Sequence, residues 1–203
     1  MMRGYHGHTV ITRGNVSKLG DDIACSGHAG GPGKCLGACG SCLRLCYAHK
    51  GNGRYPNVME SREKNYLIVT ASPLEWFVDH DDYIMRRCPP FFRFNEDGDF
   101  TSQEHFDLAV RLAAFHPGVA FASYTKRWRG KEPLQLSGMP DNFQLLYSLW
   151  PDMRERPPEG ARIAYTIGKQ DRVPTGAELC PGSCSGCKLC FEKSSRHVAF
   201  RIH

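Results

Sequence analysis

Eight of the ten cysteines in this 203-residue chain fall in two short windows, and any fold must bring each window's thiols to one place. The first window, CLGACGSCLRLCYA, carries Cys35, Cys39, Cys42 and Cys46 at C-x3-C-x2-C-x3-C spacing and is followed at once by Tyr47. The second, CPGSCSGCKLCF, carries Cys180, Cys184, Cys187 and Cys190 at C-x3-C-x2-C-x2-C spacing and is closed by Phe191. Tight loops of this kind set several soft thiolates around one point, which is what zinc or an iron-sulfur cluster requires. All eight are therefore expected to be metal ligands.

Spacing bears on which metal. Zinc knuckles are commonly C-x2-C pairs separated by a dozen or more residues, and neither window has that form. Dense runs in one loop are closer to ferredoxin practice, so the expectation is one or two 4Fe-4S clusters. A zinc-stabilised module and redox-active thiols are the alternatives. The first 14 residues contain no apolar signal core, and no run of eighteen apolar residues occurs anywhere. Neither a secretory signal nor a membrane span is expected, which points to a reducing cytoplasm, where clustered cysteines serve as ligands rather than disulfides. A net charge of +5 is compatible with an anionic partner and selects none.

At this length one substantial core is expected, so residues 1–203 are read as a single α/β iron-sulfur domain. Pro56 can open a helix reaching about residue 70, and Ser72 with Pro73 reads as a cap and first turn of another reaching about residue 87. Leu74, Phe77, Val78, Tyr83, Ile84 and Met85 are its candidate buried residues, and Cys88 beyond it is read as a small core residue. Short strands are expected at residues 8–12, 91–94, 119–124, 144–149, 162–167 and 197–202, with a helix capped by Thr101 or Ser102 between the second and third. Strands alternating with helices or long connections imply a mostly parallel sheet or a partial β/α barrel carrying two cysteine-rich metal-binding loops.

Parallel strands present their C-terminal ends at one mouth, where such folds bind ligands. Arg93, Asp99, Thr125, Lys126 and Ser148 all fall at or just after predicted strand ends and are the candidate rim for a polar small molecule; their catalytic roles are unassigned. GHAGGPGKC superficially suggests a phosphate loop, but His28 replaces the first glycine and Cys35 the magnesium-binding hydroxyl, so the motif is rejected. In KRWRGK at residues 126–131, Lys126, Arg127, Arg129 and Lys131 flank Trp128. That pattern suits contact with a nucleic acid through phosphates and stacking, and equally a solvated loop.

Taken in order, CLRLCYA, FFRFNEDGDF, FASYTKRW, LLYSLWPD, CPGSCSGCKLC and VAFRIH resemble the elements of the phage family called gene product 88. The resemblance covers nearly the whole chain; Asn95 departs from it, standing where a typical member carries His. It implies a phage-encoded protein in the host cytoplasm, acting on an unknown small molecule or with a redox partner. The outline is also similar to radical-SAM-like proteins, in which a cluster loop precedes a partial barrel. Cys35, Cys39 and Cys42 match the spacing by which three cysteines hold a four-iron cluster and leave one iron for S-adenosylmethionine. Cys46 could instead close that site, and the two readings stay open.

Overall fold

Short strands separated by connections long enough to cross a sheet produce the expected parallel pairing. The computed structural model describes residues 8–13 and 19–202. Its eight strands are β1 (Ile11–Arg13), β2 (Ile23–Ser26), β3 (Phe91–Arg93), β4 (Ala120–Thr125), β5 (Phe143–Leu149), β6 (Ile163–Ile167), β7 (Ala177–Leu179) and β8 (His197–Arg201). They form one mixed sheet in the order β1-β2-β3-β4-β5-β6-β8-β7. β1 runs antiparallel to β2, and every other neighbouring pair is parallel. From β2 to β6 spatial order equals chain order, and crossovers of one hand, right-handed by the general rule, put such connections on one face. The sheet has two ends, β1 and β7.

The four helices are α1 (Gly40–Arg44), α2 (Pro56–Ala71), α3 (Pro73–Arg87) and α4 (Gln103–Phe115). Proline opens α2 and α3, where its missing N–H costs nothing. Ser102 caps α4, its hydroxyl accepting from the His105 N–H at 3.1 Å. Ser72 makes no side-chain cap; its N–H closes α2 on the Ile68 carbonyl while it also precedes α3. α3 buries Trp76, His80 and Ile84, which recur every four residues, and leaves Leu74, Val78 and Met85 exposed, contrary to the hydropathy-based expectation. Cys88 is likewise exposed rather than in the core. It ends α3 in a left-handed conformation at φ 44°.

Side chains alternate across the strands, and the two faces are covered differently. On one face Ala24, Phe92, Phe94, Phe121 and Phe143 pack against Trp76 and Ile84 of α3 and Phe106 and Leu112 of α4. Phe94 and Phe121 stack at 5.2 Å in the middle of this layer. The opposite face presents Ile23, Cys25 and Ala122, which pack with Phe191, and Leu146, Ala164 and Val198, which pack with Leu189. The second cysteine window, between β7 and β8, covers that face. No helix among the described residues is long and apolar enough to cross a membrane.

Candidate metal centre

The first window follows β2 and crosses the loops leaving the C-terminal ends of β3, β4 and β5. A Cβ on Gly30 would lie 3.1 Å from Cys35 Sγ and 3.4 Å from the Gly98 nitrogen, beyond β3. A Cβ on Gly37 would stand 2.2 Å from the Lys126 carbonyl oxygen, so only glycine lets the loop approach the end of β4. Beyond β5, Asp152 anchors the turn into α1: Cys39 Sγ donates to its Oδ1 at 3.0 Å and the Ser41 N–H to its Oδ2 at 2.9 Å. Cys39 also accepts from the Cys42 N–H at 3.4 Å, putting a thiol at the cap of α1 and the next within its first turn.

Asp99 fixes the partner side of this site. Its carboxylate accepts from the Thr125 hydroxyl and the Lys126 N–H, both at 2.7 Å, and from the Phe100 N–H at 2.8 Å. With Asp99 so occupied, the Lys126 side chain extends toward Cys42, Cys35 and Cys39. Burial disfavours its charge, but those thiols and Asp99 outweigh burial and raise its pKa. Burial in turn pushes Cys35 up to about 11, burial and the Asp152 hydrogen bond push Cys39 up to about 11, and burial raises Cys42 against the pull of Lys126. A metal bound at these thiols would have to displace their protons. Cys46 lies near Cys42, and its carbonyl accepts from the His49 N–H at 3.3 Å.

His28 is taken up by the loop after β3. Its Nε2 donates to the Asp99 carbonyl at 2.8 Å, and Nδ1 lies 3.2 Å from the Ala29 carbonyl. Gly98, at φ +80°, packs so closely that a Cβ would stand 2.3 Å from its ring. Cys25, on β2, pairs with the Thr12 hydroxyl at 3.1 Å and with Glu96 at 3.5 Å; burial and Glu96 push its thiol up to about 12.

In the second window Cys180, Cys184, Cys187 and Cys190 line one cavity of about 240 Å³, together with Leu179, Leu189, Phe191 and Val198. The Cys180 N–H donates to the Ala199 carbonyl at 2.8 Å, carrying the β7 pairing with β8 into the loop. At the far end Arg162 donates to the carbonyls of Leu189, Glu192 and Arg196 at 2.5, 2.8 and 2.9 Å. Burial raises the Cys190 pKa, while a hydrogen bond from Tyr124 and the charge of Arg93 oppose it.

A family model described as gene product 88 matches residues 8–174. The chain belongs to the gene product 88 family. The match includes the first window, the loop after β3 and the Lys126 strand end; the second window, β7 and β8 follow it. No curated protein and no solved structure matches.

Of the rim expected in this gene product 88 chain, Asp99, Thr125 and Lys126 come together at the first window. Arg93 instead lies on the opposite sheet face, its guanidinium carbon 4.8 Å from the Tyr124 ring centroid. Ser148 is buried on β5, its carbonyl accepting from Trp128 Nε1 at 3.3 Å. In KRWRGK, Arg127 is buried and Arg129 forks onto Glu155 at 2.8 to 3.2 Å while reaching the Gly37 carbonyl. Asp152, Arg162 and Gly37 were not singled out by sequence, because a lone Asp, Arg or Gly carries no spacing signal. Among the described residues, no three His, Cys, Asp or Glu side chains are grouped to hold a single metal ion. The four cysteines of the second window line one cavity.

Proposed function

We propose that the protein is an iron-sulfur protein in which the second window encloses one 4Fe-4S cluster and the first holds another beside Lys126. The cavity ringed by Cys180, Cys184, Cys187 and Cys190 carries this reading. A single zinc bonded at 2.3 Å would draw its thiolates to about 3.8 Å from one another. A cuboidal cluster interposes iron and sulfide and needs its ligands further apart, around a volume like this one. The apolar walls of Leu189, Phe191 and Val198 suit a centre whose potential is set by burial and by hydrogen bonds to sulfur.

For the first window the finer reading is radical-SAM-like. Its support is the chain-ordered parallel run from β2 to β6, a cysteine loop at the end of the first parallel strand, and Cys35, Cys39 and Cys42 grouped around one lysine. A cluster bound there with one open iron supplies one-electron chemistry to S-adenosylmethionine. The chain's own residues have definable tasks. Lys126 offsets the thiolate charge, Asp99 fixes the Lys126 main chain through its N–H, and Asp152 holds the turn into α1 through the Ser41 N–H, a contact that survives loss of the Cys39 proton. The substrate class is a polar small molecule admitted at the strand ends.

Anaerobic purification with iron, sulfide and zinc assays tests the first reading. Brown protein with about eight irons and eight labile sulfides per chain is expected for two such clusters, and colourless protein with stoichiometric zinc overturns it. Titrating reduced protein with S-adenosylmethionine tests the second. A changed electron paramagnetic resonance spectrum is expected; an unchanged one, together with a structure showing four protein sulfurs on the cluster, makes the closed cluster with Cys46 the better reading.

A further inference from the structure

Arg93 sits on the face of β3 that looks toward the second window, paired in register with Cys25 of β2 and Ala122 of β4. Its guanidinium lies over the Tyr124 ring, and its Nε is buried without a hydrogen-bond acceptor. Tyr124 in turn hydrogen-bonds Cys190, lies near Cys180, and packs on the same apolar cluster as Cys180, Cys187 and Cys190. A buried cation lacking a full set of acceptors is costly, and the cost is met only by negative charge nearby. The electrostatic neighbours of Arg93 include Tyr47, Tyr124, Glu96, Asp97, Cys25 and Cys190. Cys190 alone among these belongs to a window whose charge grows on loading: four thiolates around a metal group are anionic, and one added electron makes them more so.

We propose that Arg93, seconded by the Tyr124 hydroxyl, is the residue that makes the second window redox-active, by stabilising the reduced, more negative state of the group bound there. This rests on the iron-sulfur reading of that window. The step is a one-electron uptake from an external donor, dithionite in the assay. No bond forms or breaks, iron is reduced, and the Arg93 proton stays in place. Arg93 is a positioning residue in this scheme and ligates nothing.

The test is an anaerobic redox titration of the full-length protein, following visible absorbance and paramagnetic resonance, for wild type, Arg93→Gln, Arg93→Lys, Tyr124→Phe and Lys126→Met, with iron measured on every sample. Arg93→Gln is expected to lower the reduced-to-oxidised ratio of one couple at least tenfold at fixed poise, which is 59 mV for one electron. Arg93→Lys restores most of it. Tyr124→Phe moves the same couple in the same direction by less, and Lys126→Met moves only the other couple. An iron-loaded Arg93→Gln protein with both couples within threefold of wild type overturns the proposal and leaves the iron-sulfur reading standing. If Arg93→Gln does not fold, an unchanged couple in Tyr124→Phe overturns it. Wild type without iron overturns both.

Discussion

His80 is fully buried in α3, with its Nδ1 donating to the Trp76 carbonyl at 2.7 Å and its Nε2 buried without a partner. Trp76, Phe92 and Phe94 surround the ring. Protonation would place a charge at Nε2 among aromatic carbons, and burial lowers the pKa from 6.5 to about 4. A histidine depressed in the folded state is protonated first in the unfolded chain, so stability is intact above the unfolded value and falls as pH drops from 6.5 toward 4. At 1.36 kcal/mol per unit, a shift between those two values removes about 2 kcal/mol on going from pH 7 to pH 5. Asp97, pushed up to about 6 by burial against the pull of Arg62, works the other way: it destabilises the fold as pH rises through that value. The whole-protein curve therefore mixes signs, and a difference isolates His80. His80→Phe keeps an aromatic ring and removes the titration. Anaerobic urea unfolding at both pH values should show wild type losing about 2 kcal/mol more than the variant over that interval. Curves that run parallel within about 0.5 kcal/mol would refute the argument that the site stays apolar and the ring neutral.

Three further outcomes follow from the packing and the two windows. Gly37→Ala puts a Cβ against the Lys126 carbonyl; iron analysis should show loss of about half the metal of a two-cluster chain, with the second centre's spectrum retained. Phe94→Ala opens a cavity in the stacked layer beside Phe121 and should cost about 3–5 kcal/mol in denaturant unfolding. Cys187→Ser and Cys42→Ser should each yield metal-poor, poorly soluble protein, because metal bound only by the native state adds to its stability; two soluble variants with full iron would show the ligand assignment to be wrong.

Most of the sheet could be read from sequence because its strands are bounded by prolines and glycines and its helices open on Pro56, Pro73 and Ser102. β2 and β7 could not. IACS is buried at all four positions and so shows no alternation, and AEL has only three residues, held by pairing with β8. α1 escaped for a related reason: its cap is a cysteine thiol, outside the usual set of Ser, Thr, Asp and Asn. The rim was half legible. Strand ends do share one mouth, but the alternation that turns Phe92 into the helical core turns Arg93 to the other face. Reading α3 by hydropathy held for Ile84, Phe77 and Tyr83, which pack in or on the core, and failed for Leu74, Val78 and Met85, because the buried stripe runs through a histidine.

Chain-ordered parallel strands put the helices on one face, so something else must cover Ile23, Ala122, Leu146, Ala164 and Val198 on the other. The described cover is the segment from Cys180 to Phe191, with Leu189 and Phe191 as its buried plugs. Two apolar side chains bury little area for a segment containing Pro181, Gly182 and Gly186, whose regular backbone hydrogen bonds are confined to the Cys180 end and the turn at Leu189–Phe191. Arg162 pins its far end through the three carbonyls it holds, and Lys188 ties the middle to Asp22 at 2.9 Å and to the Cys184 carbonyl at 2.5 Å. These are few ties for twelve residues, so what the thiols bind is the further hold on the cover, and loss of that group should loosen it while β4, β5 and the helices remain folded. Chelation should therefore raise binding of an apolar fluorescent dye with little change in far-ultraviolet circular dichroism, and metal with sulfide should reverse it. Equal dye binding before and after complete iron removal would mean that Leu189, Phe191, Arg162 and Lys188 hold the cover unaided, and that the second window is a site on the fold without being part of what closes it.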